Sequence, residues 1–164
     1  YVVKPFTAAT LDEKLKKIVG AAAYVVAFAQ ELGSKPQRIG VRIDDQPAFQ
    51  RKAVLTVPKD WTVNVTFINP SPIPHSAIVI EKAETKKLQV AEPYFTGGAM
   101  PKHIVGLSMG KAEFSFVPDE AGEFALACGF PAHSATGHWI SLNVSADAKA
   151  PTLQLGDLPA KEIK

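Results

Sequence analysis

From residue 39 onward, short segments rich in Val, Ile, Phe and Thr are divided by Pro, Gly, Asn and Asp, and in several of them every second position is apolar. Val63, Val65 and Phe67 share one face of one such segment, and Phe114 and Phe116 one face of another. A period of two over about four to eight residues marks a half-buried strand. The pattern predicts strands over 39–44, 49–57, 62–69, 77–82, 87–91, 112–117, 122–127 and 139–144. Half-buried strands at such short spacing predict an all-β fold, an antiparallel β-sandwich with Greek-key connections.

Upstream the pattern differs. Thr10, Leu11, Asp12 and Glu13 read as a capping box, followed by Leu11, Leu15, Ile18, Ala22, Val25, Ala29 and Leu32 at alternating spacings of four and three, with Gly33 as a stop. This spacing predicts an amphipathic helix over 10–32, packed as a lid on the core. The expected organisation is an N-terminal extension (1–38), a β domain (39–145) and a C-terminal tail (146–164) that lacks a clear period and runs over the surface. A long loop between Tyr94 and Met109, with Gly97, Gly98, Pro101, His103 and Gly106, is of the kind that either lines a site or merely crosses over. The first residue is Tyr1 rather than Met, which points to a removed leader, anchor or tag. The apolar run 18–29 is interrupted by Gly20 and falls short of the roughly 18 residues that cross a bilayer.

Composition changes the picture little: 46% hydrophobic and 21% charged residues describe an ordinary globular chain. The net charge of +2, without a Lys/Arg block or interleaved aromatics, argues against nucleic acid as a partner. Neither a Gly-rich phosphate loop nor a catalytic pair of carboxylates is visible.

The chemistry is concentrated in one stretch, Leu126 to Trp139, where the single cysteine, Cys128, is followed at intervals of five by His133 and His138. A lone cysteine forms no internal disulfide, and a thiol beside imidazoles suits a transition metal. His75 follows the Pro-rich loop Asn69 to Pro74 and precedes an apolar strand, so three of the four histidines join this group. Structural zinc prefers four Cys/His ligands in paired spacing, whereas one Cys and two His with a weaker axial donor is the habit of mononuclear copper in electron transfer. Ser76 and Asn69 are candidates to steady the ligands. Phe130 and Trp139 are placed to shield the metal. Met100 and Met109 lie before the Cys128 strand, which favours packing over coordination, and His103 reads as a loop residue.

The run Cys128-Gly129, Pro131-Ala132-His133 and Gly137-His138-Trp139 resembles the copper loop of the cupredoxins, and within them is most similar to the sulfocyanins of acid-living archaea. Their pattern has Cys-Gly, then Pro and a small residue before His, then Gly-Met-Trp, with the first His ligand on an upstream strand. His75 is similar to that upstream ligand. The resemblance covers about residues 39–144 and implies one copper ion held by His75, Cys128, His133 and His138. It further implies single-electron transfer between redox proteins of a respiratory chain, with His133 as the electron port. It also implies an extracytoplasmic location, with membrane association through the removed N-terminal segment as one form of it. One departure matters: His138 stands where the family has its axial methionine. His138 either binds along that axis or turns to solvent. Ligation predicts a more tetragonal site that favours Cu(II) and a lowered reduction potential. Two other functions remain open at this level, a copper enzyme acting on a small molecule such as nitric oxide and a copper chaperone. A cysteine hydrolase fits poorly, because its Cys and His usually come from separate parts of the fold.

Overall fold

Strand β4, Thr62–Asn69, carries the alternation most cleanly: Val63, Val65, Phe67 and Asn69 are buried and the positions between them are half-buried. The computed structural model describes residues 25–30, 38–44 and 53–163, the first two segments by their backbone alone. Around β4 the chain forms β1 (Val25–Gln30), β2 (Arg38–Asp44), β3 (Ala53–Pro58), β5 (Ile78–Glu81), β6 (Gly110–Phe116), β7 (Gly122–Ala127), β8 (Trp139–Ser145), β9 (Thr152–Leu155) and β10 (Lys161–Glu162). One sheet has the order β1-β2-β4-β6 and the other β10-β9-β3-β8-β7-β5.

The two-sheet sandwich is as predicted, but it is not wholly antiparallel. β2 runs parallel to β4, with Ile39 opposite Val63, and β3 runs parallel to β8, with Leu55 opposite Leu142. Between β2 and β4 the chain visits the other sheet as β3, so it re-enters the first sheet heading the same way. Alternation reveals which face of a strand is buried and is silent on the direction of its neighbour.

Three other expectations are corrected. Residues 25–30, inside the predicted helix 10–32, form β1, paired antiparallel to β2 from Val25–Ile43 to Gln30–Arg38. Val25, Val26 and Phe28 are β-branched or aromatic, and in so continuous an apolar run a four-and-three spacing does not separate helix from strand. The remainder of that helix lies outside the described residues. The segment 87–91 is no strand: β5 leads into a 3-10 turn, Lys82–Lys86, after which Leu88 is exposed and Val90 packs on the outer face of the second sheet. The tail 146–164 supplies β9 and β10, with Leu153 and Leu155 packed on the core and Ile163 buried. Each of these strands is too short to establish a period.

The core between the sheets joins Leu55 and Val57 of β3, Val63 and Val65 of β4, Phe116 of β6, Leu126 of β7, and Ile140, Leu142 and Val144 of β8. Phe67, Ala77 and Met100 form a smaller cluster at the end where β4 stops and β5 begins. Leu142 is fully buried. Leu142→Ala is expected to lower stability by about 2–5 kcal/mol, read from the urea midpoint, whereas Leu158→Ala, at an exposed position, is expected to stay within about 0.5 kcal/mol.

Candidate metal centre

β5 and β7 pair antiparallel with Ile78 opposite Ala127. This register fixes the site, because the residues just before β5 and just after β7, Ser76 and Cys128, then leave the sheet side by side. The backbone N–H of Ser76 points at Cys128 Sγ over 3.3 Å, and its hydroxyl, 3.8 Å from the sulfur, accepts the N–H of Gly129 at 2.8 Å. Gly129 packs so closely under the His103 backbone that a Cβ there would lie 3.1 Å from its carbonyl oxygen.

His75, one residue upstream, exchanges two backbone hydrogen bonds with Leu107, at 3.2 and 2.8 Å. Asn69 stabilises the turn leading to it. Fully buried at the last inward position of β4, its amide donates to the carbonyls of Ile73 and Leu107, both at 2.7 Å, and its carbonyl accepts the N–H of Ser71 at 2.8 Å. Gly106, at φ +77°, runs so close beneath His75 that a Cβ would stand 3.2 Å from its backbone N and O. The loop from Tyr94 to Met109 therefore borders the site.

His133 and His138 lie in the loop joining β7 to β8. That loop is fastened to the rest of the protein at several points: Cys128 N–H to the His138 carbonyl (2.8 Å), Ala132 N–H to the Leu88 carbonyl (2.6 Å) and the Ser134 hydroxyl to the Thr85 carbonyl (2.9 Å). Ala132 adopts a left-handed φ of +66° immediately before His133.

These supports bring the donors together. His133 Nδ1 is 3.1 Å from His75 Nδ1 and 3.5 Å from Cys128 Sγ, and His75 Nδ1 is 3.9 Å from the sulfur. Ligand atoms of His75, His133 and His138 all lie within 4.8 Å of one another. Donors sharing one ion through bonds of about 2.0–2.3 Å stand roughly 3.3–3.8 Å apart, and the three separations bracket that range. His75 and Cys128 are buried, and His133 and His138 are half-buried. The donor set thus fits a mononuclear site with a soft sulfur, imidazole nitrogens and little access for water.

The other candidates do not join the donor group. His103 Nε2 donates to the Ala91 carbonyl at 2.8 Å. Met100 is buried with Phe67 and Ala77, and Met109 is exposed to solvent. Phe130 packs on His133 with ring centroids 4.7 Å apart, while Trp139 covers the outer face of the second sheet beside Ile78 and Ala127. Further along β7, Tyr94 packs on Phe124, and its hydrogen bond to Glu120 raises the phenol above its ordinary range. The backbone partners Thr85, Leu88 and Leu107 escape sequence reading, since a carbonyl's role leaves no trace in residue type. Gly106 carried a signal only as one of the glycines of the long loop between Tyr94 and Met109, a loop of the kind that lines a site.

The sandwich with a thiol and imidazoles gathered at one end is the architecture of the cupredoxins, proteins that hold a single copper ion. The sulfocyanin (SoxE) domain family matches residues 49–154, and the chain belongs to it. The sulfocyanin of Sulfolobus acidocaldarius is 33% identical over 107 residues, covering 60% of this chain and 53% of that protein. The chain thus spans about half the length of this relative. Among solved structures, auracyanin B is similar over 73% of this chain and 97% of its own, at 18% identity and a TM-score of 0.47. Reduced rusticyanin is similar over 74% and 77%, at 25% identity and a TM-score of 0.36. The cofactor of this family is one copper ion, which agrees with the donor set.

Asn69→Leu keeps the volume of the side chain but strands the Ile73 carbonyl and the Ser71 N–H, and leaves the Leu107 carbonyl with the His75 N–H alone. It is expected to destabilise the metal-free protein by about 2–4 kcal/mol, measured by denaturant unfolding.

Proposed function

We propose that this domain is a one-electron carrier whose copper ion is held by His75, Cys128, His133 and His138. The observation that carries the reading is the buried thiol 3.5 and 3.9 Å from two imidazole nitrogens that are themselves 3.1 Å apart. Bound copper would supply a reversible Cu(II)/Cu(I) couple. The protein's part is to keep these donors in one arrangement for both charges. Ser76 N–H donates toward the sulfur and stabilises the thiolate that metal binding requires. Phe130 shields one side of His133. Ile73, Leu88, Val105 and Met109 are exposed apolar residues on the loops that flank these side chains, and burial of such residues by a redox partner would exclude water from the site.

The partners we propose are redox proteins of a respiratory chain, on the outer side of the cell membrane. The family likeness supports this setting. No helix among the described residues is long and apolar enough to cross a membrane. The β domain of 39–145 is proposed as the unit that carries the copper, with β1, β9 and β10 widening its sheets.

An imidazole at position 138 is a stronger donor to Cu(II) than a thioether. His138→Met is therefore expected to raise the reduction potential by at least about 60 mV, a tenfold change in the preference between oxidation states, and to move the visible spectrum toward blue. Identical potentials and spectra would remove His138 from the ligand set.

Copper titration tests the reading as a whole. Uptake of one equivalent, with loss of the free thiol and a strong visible charge-transfer band that disappears in Cys128→Ser, is the expected outcome. Copper uptake without visible absorption would refute it.

A further inference from the structure

The ring of His138 has two nitrogens, and the surroundings of one decide what the other can do. Its Nδ1 lies 3.1 Å from the backbone carbonyl oxygen of His133 and 3.3 Å from the Thr136 hydroxyl. A carbonyl oxygen only accepts, so a neutral imidazole at that distance donates its Nδ1–H and keeps the lone pair on Nε2.

The same carbonyl is the hub of the loop. It also receives the backbone N–H groups of Thr136 and His138, both over 3.1 Å, and the Thr136 hydroxyl at 2.9 Å. Four donors around one oxygen must share its two lone pairs. Two of them have a second acceptor: the Thr136 N–H is shared with the Ala132 carbonyl, and the Thr136 hydroxyl, while giving its own hydrogen to the His133 carbonyl, turns a lone pair toward the Nδ1–H of His138.

We infer that the His133 carbonyl and the Thr136 hydroxyl together hold His138 in its Nδ1–H tautomer, so that this chain presents Nε2 as the nitrogen donor in the position its family fills with a thioether. His133 then acts twice, through its ring as a nitrogen that would face the ion and through its backbone oxygen as the support of the His138 ring. Thr136 is a positioning residue. The inference rests on the copper reading for what Nε2 binds, and on hydrogen-bond geometry alone for which nitrogen carries the hydrogen.

Long-range proton–nitrogen correlation spectra of the histidine-labelled protein at pH 8, metal-free and loaded with Cu(I), test it. In the metal-free protein His138 is expected to show a protonated Nδ1 and a bare Nε2, and Cu(I) is expected to move the Nε2 resonance. A dominant Nε2–H form, or a Cu(I) shift on Nδ1, would overturn the inference. Thr136→Val is expected to speed solvent exchange of the Nδ1 hydrogen by about fivefold or more, the loss of one hydrogen bond, and Thr136→Ser to restore it. Unchanged exchange in Thr136→Val would remove Thr136 from the role. A metal-free protein with Nδ1–H in place that nonetheless refused copper would support the tautomer and sink the carrier.

Discussion

Cys128 and His75 are 53 residues apart in the chain, yet their donor atoms stand 3.9 Å apart, and the rest of the molecule is organised around that juxtaposition. A thiol and an imidazole removed from water lose hydration that only specific partners replace. Here the replacement is built from backbone. Ser76 N–H meets the sulfur, Leu107 holds the backbone of His75 on both sides, and the His138 carbonyl receives the N–H of Cys128. Because these supports belong to the main chain of several segments, no single rotamer change releases the donors. Such a frame resists rearrangement when the charge of a bound ion changes, and resistance to rearrangement is what rapid electron exchange requires.

The sandwich supplies this rigidity from below. The Ile78–Ala127 pairing continues into β8 through Ala127–Trp139, so three neighbouring strands of one sheet end at the same level. His75 lies just before the start of β5, the Cys128 thiol just after the end of β7, and the imidazoles of His133 and His138 occupy the loop into β8. From the opposite sheet, β4 contributes Asn69, whose buried amide links the Ile73 and Leu107 carbonyls. Both layers therefore converge on His75, and sliding one against the other would disturb the site. The small cluster of Phe67, Ala77 and Met100 fills the space directly beneath it.

Much of this was legible from residue order. The extent of β4 follows from alternation, because Val63, Val65 and Phe67 face a core that accepts only apolar side chains. The donor group was legible because Cys128, His133 and His138 sit at a spacing that serves no packing period, and His75 because it interrupts an apolar approach to a strand. Other features were hidden for definite reasons. The pairing β2–β4 is a choice of neighbour, made by tertiary packing. The run 25–30 has residues that serve helix or strand equally, and β2 decides the matter by pairing with it. The fastening of Ala132 to Leu88 and of Ser134 to Thr85 engages carbonyls, which every residue possesses.

The turn that carries His138 is held by its own backbone. The loop from His133 to His138 is bounded by two left-handed residues, Ala132 at φ +66° and Gly137 at φ +104°, and is closed by N–H groups of Thr136 and His138 on the His133 carbonyl. Left-handed alanine is strained by roughly 1–3 kcal/mol, a conformation that persists only because the bonds to Leu88 and within the loop over-determine it. The course of the backbone is thus set largely by main-chain bonds, to which the His138 ring adds its own contact with the His133 carbonyl. The fold in this way gathers the side chains of His75, Cys128 and His133 from sheet ends and loops, and brings His138 to them on a turn closed around the His133 carbonyl.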